Sequence, residues 1–382
     1  MRSPRATGVT LALALGASQG ALLVLTPVLT AVASDLGVST ATAGQLRTAS
    51  GLAAGAMALL AGLAAARVGL RELLALGLAV IALGAGASAV APDFGVLVVG
   101  QLLIGLGIGI SYSAAIAAVA EWSTPDRRSR VLALALLGPP GAWIVGMPLG
   151  GLLGEVSWRL VWVVPLAAAG LALAALGLLP STRPASVRAG LGAVLGFPDV
   201  LRWSLGELLA FSAWAGSLVF VGALFVESYG LSVAVTGLLL GAGAVFYIPG
   251  NLFFRRYVDV HSRSLLILLA LAGAVTVLAL GALRREAWLS FALFALLAFI
   301  AAGRTLAGSA HGLDLAPPLR LGVTGVRTAA IQLGYFVGAA VGGLALAFGG
   351  YSALGVALAL LFAAATVPHL LPQRADPPAH LR

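Results

Sequence analysis

The sequence predicts an all-α integral membrane protein with twelve transmembrane helices, arranged as two parallel six-helix repeats. Three observations predict this class: an apolar composition, regularly spaced polar breaks, and a resemblance between the two halves of the chain. Of the 382 residues, 60% are hydrophobic and only 9% are charged, and the mean hydropathy is +1.06. A soluble protein carries about 25% charged residues, so most of the surface of this chain must face lipid.

Polar breaks divide the chain into twelve apolar stretches, and a helix needs about 20 apolar residues to cross a bilayer. Strands of a membrane barrel alternate apolar and polar residues over about ten positions, whereas these stretches are continuously apolar, which indicates helices. The predicted spans are 8–33, 43–66, 73–91, 95–120, 131–154, 160–179, 201–226, 233–254, 264–283, 287–310, 321–348 and 352–371.

The arginines predict the orientation. The chain has 22 basic residues, none of them lysine, against 13 acidic residues. With the N-terminus inside, sixteen arginines fall in cytoplasmic segments and only Arg159, Arg284 and Arg285 fall outside. Because cytoplasmic loops are rich in basic residues, we expect both termini in the cytoplasm and the protein in the cell (inner) membrane. The net charge of +9 is explained in this way without a nucleic acid partner.

The longest polar connection, 180–200, separates two sets of six spans. We expect an N-terminal six-helix bundle over 1–180, a cytoplasmic linker over 181–200 and a C-terminal six-helix bundle over 201–382. The connection contains three prolines and two arginines, a composition that favours a linker over a further span.

A shift of about 192 residues aligns the two sets. It places Arg71 on Arg263 and Gly146 on Gly338, and it aligns the turns after the first and seventh spans. Six is an even number of spans, so both copies enter the membrane in the same direction. Parallel repeats of this kind occur in transporters that expose a central site to each side of the membrane in turn.

The turn after the second span carries a recognisable motif. Gly62, Arg67, Gly69 and Arg71 stand at the spacing Gly, three residues, Asp, Arg, any, Gly, any, Arg, with Ala66 at the acidic position. In this motif the chain resembles the major facilitator superfamily, and within it the twelve-helix drug and sugar efflux branch of drug:proton antiporters. The resemblance implies that the turn is a cytoplasmic gate.

The missing carboxylate at Ala66 means that other groups must complete this gate. Glu72 and Glu121 are the candidates in the first half of the chain. In the second half the corresponding turn contains Asp259 and Arg263.

The fourth and fifth spans extend the resemblance. Gln101 and the glycines that follow it are similar to the family's arginine-and-glycine helix, with Gln101 at the arginine position that is often tied to proton coupling. The fifth span is similar to the family's antiporter motif at Gly138, Pro139, Gly146, Pro148, Gly150 and Gly151. We expect the prolines to bend this helix. The glycines serve either simple bundle packing or a seam between the fifth and eleventh helices.

Charged residues within spans are the usual functional signal in membrane proteins. Arg47, Arg304 and Arg327 either extend to the nearest interface or line a positively charged cavity. Glu207 is the carboxylate placed clearly within a span, and it is either the ion-pair partner of one of these arginines or a proton-coupling site.

The resemblance also implies a substrate cavity lined mainly by helices one, four, seven and ten, with contributions from five, eight and eleven. A ligand pocket combines an apolar surface with a few placed polar groups. Each polar or aromatic residue near the middle of these helices is either a cavity residue or a packing residue. The candidates are Gln19, Gln101, Tyr112, Trp143, Trp214, Tyr247, Gln332 and Tyr335.

The sequence contains no constellation that favours an enzyme, a metal site or a bound cofactor. It has no cysteine, its four histidines are scattered, and without lysine it has no phosphate-binding Gly-Lys loop. We expect a monomeric secondary transporter in the lipid bilayer that moves a small amphipathic organic solute by rocker-switch alternating access, with protons as the coupling ion and efflux as the direction. Facilitated uptake of a metabolite and a non-transporting membrane sensor or scaffold are the alternatives.

Overall fold

The computed structural model describes residues 4–64, 68–124, 127–177, 194, 196–315 and 320–372, and over these residues the chain is helical, without strands. The first six helices occupy the predicted spans. They are α1 (Pro4–Leu23, continued by Leu29–Asp35), α2 (Thr40–Ala64), α3 (Leu70–Ala89), α4 (Phe94–Glu121), α5 (Arg128–Ala135 and Gly138–Val156) and α6 (a 3₁₀ turn Trp158–Trp162 and Val163–Gly177).

The last six helices also occupy their predicted spans, so the predicted fold class is confirmed. They are α7 (Pro198–Tyr229), α8 (Val233–Val245 and Tyr247–Phe254), α9 (Val258–Ala282), α10 (Ala287–Leu315), α11 (320–348) and α12 (351–364, followed by the short helix Val367–Leu370). Among the described residues, ten helical stretches are long and apolar enough to cross a membrane. One of them, Gly322–Leu370, contains both α11 and α12.

Two glycines form the connection between α11 and α12. Helix α11 runs into α12 through Gly349 and Gly350, whose backbone angles are not helical. Gly350 has a φ of 63°, in the left-handed region that residues with a Cβ atom rarely adopt. The chain therefore reverses between two spans without a loop, at the very short connection that the sequence predicts.

The turns after α1 and α7 have the same structure. Gly37 and Gly230 both have positive φ angles, of 64° and 65°. Two residues later, the hydroxyl oxygens of Ser39 and Ser232 each accept a hydrogen bond from the backbone amide three positions further on. This is the N-cap arrangement that starts a helix, here α2 and α8. The predicted repeat is thus present in the backbone at this end of the molecule.

A second matched contact lies near the start of α3 and of α9. Arg71 donates from Nη2 to the carbonyl oxygen of Gly177 at the end of α6, at 3.3 Å. Arg263 donates from Nε to the carbonyl oxygen of His369, at 2.8 Å, and from Nη2 to that of Leu371. Both the arginines and the first acceptors are 192 positions apart. In each repeat, an arginine satisfies carbonyl groups that a helix end leaves open.

The chain forms two compact units. The first contains Met1–Val187 and Leu218–Ala244, and the second contains Arg188–Ser217 and Val245–Arg382. Helix α7 therefore contributes its first part to the second unit and its last part to the first unit. The bundle boundary predicted within 180–200 stays a prediction.

In the first unit, the glycines of α4 allow two neighbouring helices to approach closely. A Cβ atom on Gly107 would lie 2.5 Å from the carbonyl oxygen of Gly77 in α3, and one on Gly109 would lie 2.5 Å from that of Ala54 in α2. Hydrophobicity gives helices no reason to associate in lipid, so close backbone packing must hold them together. The glycine row of α4 therefore has a structural role on two faces of the helix.

A related contact occurs in both units. A Cβ atom on Gly138 would meet the backbone of Ala12 and Gly16, and one on Gly338 would meet the backbone of Ser212 and Gly216. These pairs are 200 positions apart. The packing thus matches Gly338 with Gly138, so the predicted correspondence of Gly146 with Gly338 is wrong for this contact.

Substituting Gly338 tests the close approach of α7 and α11. In Gly338→Ala, the new methyl group would lie 2.8 Å from the amide nitrogen of Gly216 and closer still to Ser212, so the helices must move apart. Overpacking of this kind costs about 1–3 kcal/mol. We expect a lower thermal unfolding midpoint for the purified protein in detergent.

Gly325→Ala is the matched control in the same helix, since nothing lies within 4 Å of a Cβ atom at Gly325. It should leave the midpoint unchanged or raise it, because alanine favours helix more than glycine does. Equal losses in the two variants would contradict the packing argument.

Candidate functional site

Three helices of the second unit bring one carboxylate and two guanidinium groups together. Glu207 of α7 accepts a hydrogen bond from Arg304 Nη1 of α10 at Oε1, at 2.7 Å, and one from Arg327 Nε of α11 at Oε2, at 2.9 Å. Glu207 is 1% exposed and Arg304 is 5% exposed. The predicted ion pair is present and includes two arginines. The alternative, that these arginines extend to the interface, is wrong.

We define the charge cluster as Glu207, Arg304 and Arg327. Backbone carbonyl groups accept further hydrogen bonds from its two arginines. Arg304 also donates to the carbonyl oxygen of Gly206, and Arg327 to that of Thr305, both at 2.9 Å. These bonds offset part of the cost of burying the charges, although Arg304 Nε has no hydrogen-bond partner among the described residues. These carbonyl acceptors could not be found in the sequence, because any residue type can supply them.

Gly308 makes room for the carboxylate of the charge cluster. It lies one turn after Arg304 in α10, and a Cβ atom at this position would lie 2.5 Å from both carboxylate oxygens of Glu207. The carbonyl oxygen of Gly308 accepts a hydrogen bond from the indole of Trp203, at 3.1 Å. A glycine one turn after an arginine within a span is the sequence signal that could have indicated this cavity.

The first unit has its own buried polar chain, across α2, α4 and α3. Arg47 is 2% exposed and donates from Nη1 to the carbonyl oxygen of Ala21 and to Oε1 of Gln101, both at 3.3 Å. Gln101 in turn donates to the hydroxyl oxygen of Ser88, at 3.1 Å. Extension of Arg47 to the interface is therefore wrong. Gln101 stands at the motif's arginine position, and the guanidinium beside it comes from α2.

The predicted cavity residues fall into both units and are mostly enclosed. In the first unit, the hydroxyl groups of Ser18 and Ser111 form a hydrogen bond of 2.8 Å between α1 and α4. Which of the candidates face a solute stays a prediction. Gln19, Gln101, Trp143, Trp214, Gln332 and Tyr335 are buried, whereas Tyr112 and Tyr247 are partly exposed.

Aromatic pairs surround the candidates of the second unit. Tyr335 packs edge-to-face against Phe211, with 5.8 Å between ring centroids. Trp214 stacks on Phe294 at 6.4 Å, with 9° between the ring planes. Gln332, three residues before Tyr335, is fully buried, and within the described part of the chain neither polar atom of its side-chain amide has a hydrogen-bond partner. Phe211 and Phe294 are not among the residues predicted from the sequence, because apolar rings cannot be distinguished from other apolar residues within apolar spans.

The predicted cytoplasmic gate is only partly visible. Ala66 and Arg67 lie outside the described residues, Gly62 lies in the last part of α2, and Gly69 directly precedes α3. Arg71 and Arg263 bind helix ends within their own repeats, as described above. The carboxylates that were expected to replace the missing acid, Glu72, Glu121 and Asp259, are exposed. Their role in a gate stays a prediction.

The fifth helix consists of two segments. It is interrupted between Ala135 and Gly138, with Pro139 in the first turn of the second segment, whereas Pro148 remains within the helix. Gly150 approaches the side chain of Val24, and a Cβ atom at Gly146 would have nothing within 4 Å.

Helix α5 also packs closely against α8. A Cβ atom on Gly151 would lie 2.7 Å from the Cα atom of Gly237. Nearby, the carboxylate of Glu155 accepts a hydrogen bond from the amide nitrogen of Ala234 at the start of α8, at 2.8 Å. In the second unit, Gly338 of α11 packs on α7. Gly151 thus serves close packing within the first unit, and the seam predicted between the fifth and eleventh helices stays a prediction.

A polar contact closes the connection between α1 and α6 in the first unit. Asp35 accepts hydrogen bonds from Arg159 Nη1, at 2.6 Å, and from the indole of Trp158, at 2.9 Å. The Arg159 guanidinium, and then the Trp158 indole, hold the pKa of the Asp35 carboxyl below its usual value. This carboxylate stabilises the fold above its unfolded-state pKa, and the contribution is lost as the pH falls through the lowered value. Because the pair is largely exposed, the effect is small.

Within the described residues, no group of three or more histidine, cysteine, aspartate or glutamate side chains is placed to hold a metal ion.

A model of the Major Facilitator Superfamily matches residues 11–202 and 203–382. The chain belongs to this superfamily. The family predicted from the motifs, including its efflux branch, is confirmed, and the chain is a multi-pass membrane protein with a transporter fold. The crystal structure of a D-xylose-proton symporter has a TM-score of 0.78 to this chain at 16% identity, covering 97% of each. At this identity the likeness shows the fold alone.

Curated relatives of this major facilitator differ in what their names describe. The transcription regulatory protein OpdE of Pseudomonas aeruginosa is 29% identical over 365 residues, covering 92% of this chain and 89% of that protein. The purine ribonucleoside efflux pump NepI of Escherichia coli is 26% identical over 329 residues, covering 83% and 81%. A multidrug resistance protein B homolog of Mycobacterium tuberculosis is 36% identical over 132 residues, and the match spans about a quarter (24%) of that protein.

Gly308→Ala tests whether the geometry of the charge cluster matters without changing any charge. The methyl group would displace the Glu207 carboxylate from between the two guanidinium groups. We expect a lower thermal unfolding midpoint and a larger loss of transport in cells than in Gly146→Ala, where the methyl group meets nothing within 4 Å. If both variants behave like the unmodified protein, the cluster tolerates displacement and the expectation is wrong.

Proposed function

We propose that this major facilitator is a proton-coupled secondary transporter that exports a small organic solute across the cell membrane by alternating access. The observation that carries the proposal is the charge cluster: a fully buried carboxylate held by two arginines from different helices. Ionisable groups within transmembrane bundles mark ion pathways and proton relays. The efflux pump among the relatives supports export as the direction.

Charge balance within the cluster links protonation to movement. One carboxylate and two guanidinium groups have a net charge of +1. Adding a proton to a carboxylate oxygen of Glu207 raises this to +2 in an interior of low dielectric constant, which is unfavourable. Protonation therefore requires that one guanidinium group leaves the carboxylate. Arg327 is 16% exposed and Arg304 is 5% exposed, so Arg327 is the one that leaves.

The departure of Arg327 couples the proton to the helices. Glu207 lies on α7 and Arg327 on α11, and these helices also meet at Gly216 and Gly338. Proton binding breaks a link between α7 and α11, and proton release restores it. A site that takes its proton from one side and releases it to the other can thus drive a solute in the opposite direction, which is antiport.

The solute is an uncharged or amphipathic organic molecule. The predicted cavity residues are aromatic rings, amides and hydroxyl groups, a composition typical of small-molecule sites. Because one relative is named a purine ribonucleoside efflux pump, purine ribonucleosides are the first solutes to test.

A regulatory function is the second candidate, since a relative that matches 92% of this chain is named a transcription regulatory protein. Facilitated uptake or uniport is the third. Proteoliposomes with an imposed pH gradient separate these functions. Proton movement that starts on addition of the solute supports antiport. Solute movement without protons would indicate a uniporter, and the absence of both, in correctly folded protein, would indicate a sensor or scaffold.

Glu207→Gln tests the coupling directly. The amide cannot exchange a proton, so a pH gradient should no longer accelerate solute flux, and the flux should fall to the value measured without a gradient. Glu286→Gln is the control, because it makes the same substitution at an exposed carboxylate of the same unit, and it should retain the acceleration.

Loss of the carboxylate leaves two guanidinium groups uncompensated, which is costly in the interior. The double variant Glu207→Gln with Arg327→Gln keeps the net charge of the cluster at +1 and serves where the single variant fails to fold. If either folded variant is still accelerated by the pH gradient, Glu207 is not the coupling site.

A further inference from the structure

We propose that Gln332 recognises the solute, and that the solute class is an uncharged aromatic molecule with a cis-amide (lactam) edge, in which a carbonyl acceptor lies beside an N–H donor. The inference rests on the proposed transport function, because it assigns a ligand to the same transporter. It follows from the amide of Gln332, its lack of protein partners and the aromatic rings packed nearby.

The Gln332 side chain is an unexplained polar group in the second unit. It is 0% exposed, and neither its amide nitrogen nor its amide oxygen has a hydrogen-bond partner among the residues that the structure describes. Buried polar groups are nearly always hydrogen-bonded, and an unsatisfied group lowers stability. An apolar residue of similar size would pack here without that cost. The amide is therefore available to bind a ligand.

The chemistry of a carboxamide defines this partner. Its nitrogen donates and its oxygen accepts, side by side in one plane. The group that satisfies both at once offers an acceptor and a donor at the same spacing, and a cis-amide edge does this with two parallel hydrogen bonds. The nearest charged side chain along α11, Arg327, is bound to Glu207 and Thr305. A neutral solute thus suits this position better than a charged one.

The neighbouring rings add the aromatic part of the solute class. Tyr335 lies one turn after Gln332 on the same face of α11, and Phe211 packs against it. Trp214, one turn after Phe211 on α7, stacks on Phe294. Planar ligands pack well against such rings, in stacked or edge-to-face arrangements.

Phe211 is also the ring of this group that a solute can reach from the surface. It is partly exposed, whereas Tyr335 is 1% exposed and Trp214 is 4% exposed. A solute that displaces the Phe211 ring would lie against Tyr335, one turn from Gln332 on α11.

Matched pairs of ligands test the proposal by equilibrium binding to the purified full-length protein. The probes are inosine and 2-quinolone, which carry a lactam edge, and 1-methylinosine and N-methyl-2-quinolone, in which a methyl group replaces the N–H. We expect at least one lactam to bind, and its N-methyl partner to bind about tenfold more weakly or worse, because an amide atom of Gln332 stays unsatisfied.

Gln332→Met keeps the size of the side chain and removes both polar atoms. We expect the discrimination between lactam and N-methyl partner to disappear, and the thermal unfolding midpoint without ligand to stay equal or rise, since an unsatisfied buried amide has been removed. A structural role for Gln332 would instead lower the midpoint. Gln45→Met changes a glutamine of the first unit that hydrogen-bonds within α2, and it should retain the discrimination.

Several outcomes would overturn the inference: no binding of either lactam, equal binding within each pair, or unchanged discrimination in Gln332→Met. Binding is measured without a pH gradient, so it fails or succeeds independently of proton coupling. A protein that binds lactams but shows no solute-dependent proton movement would contradict the proposed antiport alone. Proton-coupled transport of other solutes that is insensitive to Gln332→Met would contradict the assignment of Gln332 alone.

Discussion

An ionised carboxylate inside helices that face lipid is the constraint on which the second unit depends. Glu207 is almost completely buried, so α10 and α11 each supply an arginine, and backbone carbonyl groups accept hydrogen bonds from Nη2 of both arginines. Space is needed as well, which explains the absence of a side chain at Gly308. The positions of three helices are thus set by one charged group, and a change in its protonation acts on all three.

The rest of the packing relies on small residues and on helix ends. Because lipid tails are as apolar as leucine, burial gives little drive for association within the membrane, and contact between backbones takes its place. Backbone contacts of this kind are made by Gly107 with α3, by Gly151 with α8 and by Gly338 with α7. At the helix ends, Arg71 and Arg263 satisfy carbonyl groups that would otherwise remain open. Both repeats therefore use close glycine packing and arginine contacts to helix ends. Corresponding residues are 192 positions apart at the arginine contacts and 200 positions apart at the glycine contacts.

The sequence predicts the number and length of the helices better than it predicts which side of each helix faces the bundle. Span number and length follow from hydropathy, and the reversal at Gly350 follows from two adjacent glycines. Rotation about the helix axis is not encoded in this way, because a span that is apolar all round has no polar face to orient it. The structure supplies these directions: Arg47 and Arg304 point into the bundle, and Gly151 meets α8. The partners of Glu207 were predictable from charge, whereas the unsatisfied amide of Gln332 is visible only in the structure.

The crossings at Gly138 and Gly338 have a mechanical consequence. Where side chains interdigitate, one helix can turn against another only if rotamers change, and each change meets a barrier. At these two crossings the neighbouring surfaces are peptide groups without rotamers. At such a surface α7 and α11 can pivot without a change of side-chain rotamer, while the close contact keeps the axis of rotation fixed.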